Sequence, residues 1–91
     1  MTGSSNGVAW TPSAKRDLDL LPEKIAAAVV EFVYGSLAEN PHRVGRELHL
    51  ELAGQHAARR SEYRVVYRID DAEHRVIILA VDHRRDVYRR R

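Results

Sequence analysis

Apolar residues recur every three or four positions in the first part of the chain, and this spacing predicts helices. Ala14, Leu18 and Leu21 form one short stripe. A longer stripe follows Pro22, and its members are Ile25, Val29, Phe32, Val33 and Leu37. Such spacing puts apolar side chains on one side of an α-helix, where they need a packing partner. We therefore expect two helices that form an antiparallel hairpin.

Proline and polar residues mark the boundaries of these helices. Thr11 followed by Pro12 is typical of a helix start, because threonine can cap the first turn and proline fits the first helical position. Pro22 can open the second helix. Asn40-Pro41 ends it, since a residue before proline disfavours the helical conformation.

The later part of the chain alternates with a period of two, which is typical of β-strands. Tyr63, Val65, Tyr67 and Ile69 fall on one face of a strand. The unbroken apolar run R-V-I-I-L-A-V at 75–81 predicts a central strand buried on both faces, or nearly so. Weaker strand candidates are 8–11 and 55–60, and 42–54 is interpreted as a connector with a possible short strand.

The order β-α-α-β-β-β predicts an α+β fold, with the helical hairpin packed on one face of a small, mainly antiparallel, twisted sheet. The other face of the sheet can stay open. Arg64 and Arg68 alternate with the tyrosines, so we expect them on the open face. There, Arg64 could be solvated, paired with Glu62 or Asp82, or bound to an anion.

Length and composition exclude several classes of function. With 91 residues the chain is too small for a layered enzyme with a separate cofactor domain. We expect one domain at 8–91 after a disordered lead-in at 1–7. The chain has no cysteine, no apolar run of membrane-spanning length and no signal-peptide pattern, so we expect no cofactor, no membrane association and a cytoplasmic location. No metal site is expected, because the spacing of His42, His49 and His74 does not suit metal ligation.

Charge is distributed unevenly. Residues 42–91 hold twelve arginines and eight acidic residues, whereas residues 1–41 carry net negative charge. Arginine suits bidentate phosphate binding, although a genomic codon bias could explain part of the excess. The second half should therefore face an anionic partner.

Two segments, H-A-A-R-R-S-E-Y-R-V-V-Y-R-I-D-D and V-I-I-L-A-V-D-H-R-R-D-V-Y-R, carry a family resemblance. Together with the element order, they resemble the RelE toxins of the RelE/ParE superfamily, over roughly residues 8–91. The resemblance implies the toxin of a type II toxin–antitoxin pair, a metal-independent endoribonuclease that cuts mRNA in the ribosomal A site. It implies a RelB-like antitoxin as partner and a toxin–antitoxin heterotetramer. ParE-type relatives inhibit DNA gyrase on the same fold, so a gyrase inhibitor and a catalytically weak toxin-like partner are the alternatives.

The resemblance also implies roles for individual residues. Arg64 corresponds to the arginine that binds the scissile phosphate, and Arg84 to a second catalytic arginine. Arg85 is the substitute if the register is shifted by one, or else part of a general basic patch. Tyr88 corresponds to a tyrosine used in proton transfer or stacking, or it packs the end of the chain on the sheet.

The strand before Arg64 departs from the family pattern. Adjacent strand residues point to opposite faces, so only one of Arg59 and Arg60 can line the open face, and Arg59 fits the family better. RelE toxins carry paired lysines near the positions of Gln55 and Ala57, and this chain has none there.

The role of general base is therefore vacant, and a histidine could fill it. Imidazole titrates near pH ~6.5, which suits proton transfer at neutral pH. His83 lies beside Arg84 at the sheet end where substrate is expected, and His56 lies in the earlier strand. Either histidine could instead be a surface or packing residue.

Overall fold

One mixed sheet with helices on a single face makes up the fold. The computed structural model describes residues 6–48, 54–60 and 62–83. The strands are β1 (Gly7–Trp10), β2 (Arg46–Glu47), β3 (Gln55–Arg60), β4 (Tyr63–Asp70) and β5 (Arg75–His83). The helices are α1 (Pro12–Asp19), α2 (Glu23–Phe32), which a π-helical turn at Val33–Leu37 extends, and the short α3 (Pro41–Val44).

The strand order in the sheet is β1-β5-β4-β3-β2. Strand β1 runs parallel to β5, and the other neighbouring strands are antiparallel. The predicted α+β architecture is thus confirmed. Strand β1 begins at Gly7, one residue before the expected domain boundary, and Asn6 N–H already donates to Ala38 O at 2.9 Å. Strand β2 is the possible short strand of the connector, whose residues 49–53 lie outside the described chain.

Helix α1 begins as its sequence predicts. The Thr11 hydroxyl accepts a hydrogen bond from Ala14 N–H at 3.1 Å, and Pro12 occupies the first turn. This satisfies one of the amides that have no partner within the helix. Thr11 N–H also donates to Ile78 O at 3.0 Å, so this one residue connects β1 to α1.

The core lies between α2 and the face of the sheet that we call the covered face. Tyr63, Val65 and Tyr67 alternate along β4 and are buried there, as predicted. The Tyr67 hydroxyl donates to Pro41 O at 2.6 Å. Gly45 leaves room for this hydroxyl, because a Cβ at Gly45 would collide with the Tyr67 Oη and come within 2.9 Å of Ala57 O. The tyrosine therefore holds the α3–β2 segment against the sheet.

A β-bulge interrupts the pairing of β4 with β5. Val66 lies opposite Ala80, but the next residue, Tyr67, lies opposite Ile78. Leu79 therefore has no residue opposite it. A bulge of this kind inserts one residue and shifts the alternation of every residue beyond it.

The bulge changes which residues of β5 are buried. Val76 and Ile78 face the core before it, and Val81 and His83 face the core after it. The predicted central position of β5 is confirmed, but its second face is only partly buried. The partly exposed residues of the apolar run are Ile77, Leu79 and Ala80.

Helix α1 and its N-cap residue supply hydrogen bonds to β5 where β1 has ended. The Thr11 hydroxyl donates to Leu79 O at 3.2 Å. The Asp17 carboxylate accepts from Val81 N–H at 3.0 Å. Backbone groups that would lack a strand partner are thus satisfied beside the bulge.

Candidate functional site

The face of the sheet turned away from the helices, here called the open face, carries the candidate site. Its residues follow from the strand register, and none of those in β2, β3, β4 and β5 is fully buried among the described residues. Five arginines and two aspartates supply its charge. They are Arg46, Arg59, Arg64, Arg68, Arg75, Asp70 and Asp82. The open face is therefore basic, as the charge distribution predicts.

A row of three charged residues crosses the open face at one end. Arg59 lies opposite Arg64, and Arg64 lies opposite Asp82. Arg64 Nη2 donates to Asp82 Oδ2 at 2.9 Å. The Arg64 side chain is 43% exposed and the Asp82 side chain 17%. Arg64 is thus on the predicted face, in the ion pair that the sequence allows.

Arg59 and Arg60 separate as predicted. Arg59 is exposed on the open face beside Arg64. Arg60 lies opposite Tyr63 on the covered side, and its guanidinium lies 4.3 Å from the centre of the Phe32 ring. That contact is a cation–π interaction, which keeps Arg60 away from the open face.

The His83 side chain lies away from the open face, although we expected this residue to lie close to the substrate. His83 is at the expected end of the sheet, but the bulge turns it to the covered face, opposite Tyr63. It is only 7% exposed, and its Nε2 lies 3.7 Å from Glu62 Oε1, beyond hydrogen-bonding distance. Without the bulge His83 would lie on the open face, and Asp82 now lies there instead.

His56 is also on the covered face, contrary to its predicted role in substrate binding. It lies opposite Tyr67, and the two rings stack with 5.5 Å between their centres. The His42 ring meets it edge-on at 5.9 Å. Burial lowers the pKa of His56 below 6.5, although the nearby Glu47 carboxylate partly opposes the shift. His56 packs α3 on the sheet rather than facing Arg64.

The remaining predicted residues, Arg84, Arg85 and Tyr88, lie outside the described residues. Their roles stay predictions. Gln55 and Ala57, near which the resemblance to RelE toxins places lysines, do lie on the open face. In the part of the chain that the structure describes, no three potential metal ligands come together.

Sequence reasoning missed two arginines of the open face, Arg46 and Arg75. Arg46, in β2, lies opposite Ala57 and is exposed. A strand of two residues shows no alternation, so no pattern in the sequence could have assigned its face.

None of the described helices is long and apolar enough to cross a membrane.

Comparison with known proteins gives one family over nearly the whole chain. Residues 8–88 match the family model described as the ParE toxin of the type II toxin–antitoxin system parDE. The chain is 57% identical over 83 residues to Toxin RelG of Mycobacterium tuberculosis, covering 91% of this chain and 95% of the relative. It is 58% identical over 82 residues to Toxin RelE of the same organism, covering 90% and 84%.

Solved structures agree with these sequence matches. The crystal structure of the toxin–antitoxin complex RelBE2 from M. tuberculosis contains a chain that is 54% identical, with a TM-score of 0.87 over 88% of this chain and 99% of that one. The isolated Escherichia coli RelE toxin superposes with a TM-score of 0.71, covering 93% of each chain. At 16% identity, that second match supports the fold alone.

Proposed function

The chain belongs to the ParE toxin family of type II toxin–antitoxin systems, and from this premise we propose that it is a ribosome-dependent mRNA endoribonuclease. The observation that carries the proposal is the Arg59–Arg64 row on the open face. Two opposed guanidiniums on a solvent-accessible sheet surface suit a polyanion that approaches from outside. Toxin RelE and Toxin RelG, which share more than half of their aligned residues with this chain, support the same class.

Metal-free RNA cleavage makes a demand that Arg64 can meet. Attack of a 2′-hydroxyl on the adjacent phosphate gives a crowded phosphorane with more negative charge than the starting diester. A fixed guanidinium beside it is stabilising in proportion to the charge that develops. We assign Arg64 to the scissile phosphate and Arg59 to a neighbouring one. Arg84 and Tyr88 keep the roles that the resemblance implies.

We assign the antitoxin as partner on the same basis. The RelBE2 structure is a toxin–antitoxin complex, and its toxin-like chain is 54% identical to this one. We propose that a RelB-like antitoxin with acidic segments binds the protein and covers the open face, because the charges are complementary. A toxin–antitoxin heterotetramer is the expected assembly.

The first test compares two arginines of one strand and one face. Purified protein is mixed with programmed ribosomes, and mRNA cleavage is followed over time. Arg64→Ala should lower the cleavage rate by about 10²- to 10³-fold, as loss of a transition-state donor does. Arg68→Ala, the exposed control two rows away, should stay within a few-fold of the wild type. Equal rates for Arg64→Ala and wild type, with folding verified by circular dichroism, would reject the assignment.

One observation favours the alternative of a gyrase inhibitor. Gln55 and Ala57 are uncharged on the open face, where RelE toxins carry lysines. A supercoiling assay with purified gyrase separates the two functions. Gyrase inhibition without RNA cleavage would replace the nuclease proposal. If neither activity appears and overexpression leaves growth unaffected, the chain is a catalytically weak partner of an antitoxin.

A further inference from the structure

Arg64 is already bound to an anion within its own chain. Asp82 is its direct cross-strand neighbour, and the Nη2–Oδ2 distance of 2.9 Å is that of a charge-assisted hydrogen bond. The carboxylate is the less exposed partner, so the pair is partly shielded from water. The residue that we assign to the scissile phosphate therefore holds a competing carboxylate.

Asp82 contacts a nitrogen of the Arg64 guanidinium that a phosphate would also need. Arg64 Nε is buried and has no hydrogen-bond partner among the described residues. A phosphate that arrives from solvent can therefore use only the fork formed by Nη1 and Nη2. Asp82 contacts Nη2, one of the two nitrogens of that fork. Bidentate phosphate binding thus requires the carboxylate to move or to share its donor.

The fold creates this arrangement specifically. The bulge at Leu79 shifts the alternation of β5, so that Asp82 lies on the open face and His83 on the covered face. Helix α1 supports the shifted strand through the bond from Val81 N–H to Asp17. The position of Asp82 opposite Arg64 is therefore set by the strand pairing of β5.

We propose that Asp82 occupies Arg64 in the free protein and gives way to an RNA phosphate. The inference rests on the proposed function and deepens it. Asp82 weakens the binding of ligands that cannot displace it. An RNA held at several phosphates displaces the carboxylate, whereas an isolated anion such as inorganic phosphate does not. The site then selects a polyanion that is also held elsewhere.

The binding test uses a short fluorescent RNA whose 2′-hydroxyls are methylated, so that it cannot be cut. Asp82→Asn should tighten binding by about tenfold at ~0.1 M salt, since it removes both a competitor and a nearby like charge. The slope of log K against log salt should stay close to that of the wild type, because Arg64 contacts a phosphate in both complexes. Asp82→Glu should restore wild-type affinity, and Asp82→Ser is the second uncharged variant if Asp82→Asn does not fold.

Two controls separate this mechanism from a general effect of charge. Asp70→Asn removes the same charge at the other end of β4, where Asp70 lies 3.8 Å from Arg75. It should change affinity much less and leave the salt slope unchanged. In an Arg64→Ala background, Asp82→Asn should tighten binding no more than the charge control Asp70→Asn does. A tenfold gain that persists without Arg64, or that Asp70→Asn matches, would overturn the proposal.

Cleavage on ribosomes gives the catalytic readout. Asp82→Asn should lower KM and leave kcat unchanged or raised. Loss of kcat with tightened binding would overturn the inference, because Asp82 would then take part in the chemistry itself. Failure of the wild type to cleave rejects the proposed function instead. If the wild type cleaves but Asp82→Asn and the wild type bind RNA equally well, the inference is rejected and the proposed function stands. The same holds if neither protein binds the RNA.

Discussion

The two faces of β4 have the same backbone and obey different constraints. On the covered face, Tyr63, Val65 and Tyr67 are buried and packed against α2 and the π-helical turn. On the open face, Arg64 is partly exposed and Arg68 is exposed, although each is next in sequence to a buried residue. Burial fixes residue type on one face, whereas the other is free to carry charge. Stability and ligand binding should therefore respond to different substitutions.

The largest difference in unfolding free energy is expected between substitutions at two adjacent residues, Tyr67 and Arg68. Tyr67→Ala removes a fully buried ring and should lower the free energy of unfolding by about 3–5 kcal/mol. Arg68→Ala, one residue on, should change it by no more than about 0.5 kcal/mol. Urea denaturation measures both. Similar losses for the two variants would show that the faces do not differ in this way.

A smaller effect should follow from loosening the bulge. Asp17→Ala leaves Val81 N–H without its carboxylate acceptor and should cost about 1.5–3 kcal/mol of unfolding free energy. Asp19→Ala is the matched control, because Asp19 is exposed on the same helix. If Asp17→Ala unfolds at the same urea concentration as Asp19→Ala, the carboxylate does not support β5.

The smallest effect is a dependence on pH from the covered face. Burial holds the pKa of His56 below its ordinary 6.5, although Glu47 and Asp71 oppose the shift and His42 adds to it. The unfolded chain therefore takes up the proton first as the pH falls. The contribution of His56 to stability is complete above pH ~6.5 and is lost as the pH falls through the lower, folded-state pKa.

His56→Gln should flatten the fall in stability in that range. His74→Asn is the control, since His74 is exposed in a turn with φ of 54°, a conformation that asparagine tolerates. Thermal melts across mildly acidic pH measure both variants. A slope that His56→Gln leaves unchanged would assign the acid sensitivity to another group.

Alternation along the sequence was sufficient for most of the fold and for part of the site. It assigned Arg64 to the open face and separated Arg59 from Arg60 because β3 and β4 are regular up to their turn. Alternation could also have predicted the face on which His56 lies. An odd separation in a strand means opposite faces, so His56 and Arg59 could not both line the open face.

The placement of His83 could not be read in the same way. The alternation of β5 breaks at Leu79, inside a run in which every residue is apolar. A shift of one residue does not change the hydrophobic pattern of the sequence where both faces of the strand carry apolar side chains. The break can be seen only from the pairing of β5 with β4 in the structure. Because of it, Asp82 and not His83 lies on the open face opposite Arg64.

The parallel pairing of β1 with β5 has a consequence for the nascent chain. Gly7 pairs with Arg75 and Trp10 with Ile78, so β1 cannot complete its pairing until β5 has been synthesised. Synthesis adds about 5–20 residues per second, and no part of this sheet can close early around β1. An incomplete polypeptide therefore has neither a finished core nor Asp82 opposite Arg64. Folding of the sheet and pairing of Arg64 with Asp82 therefore depend on the synthesis of β5.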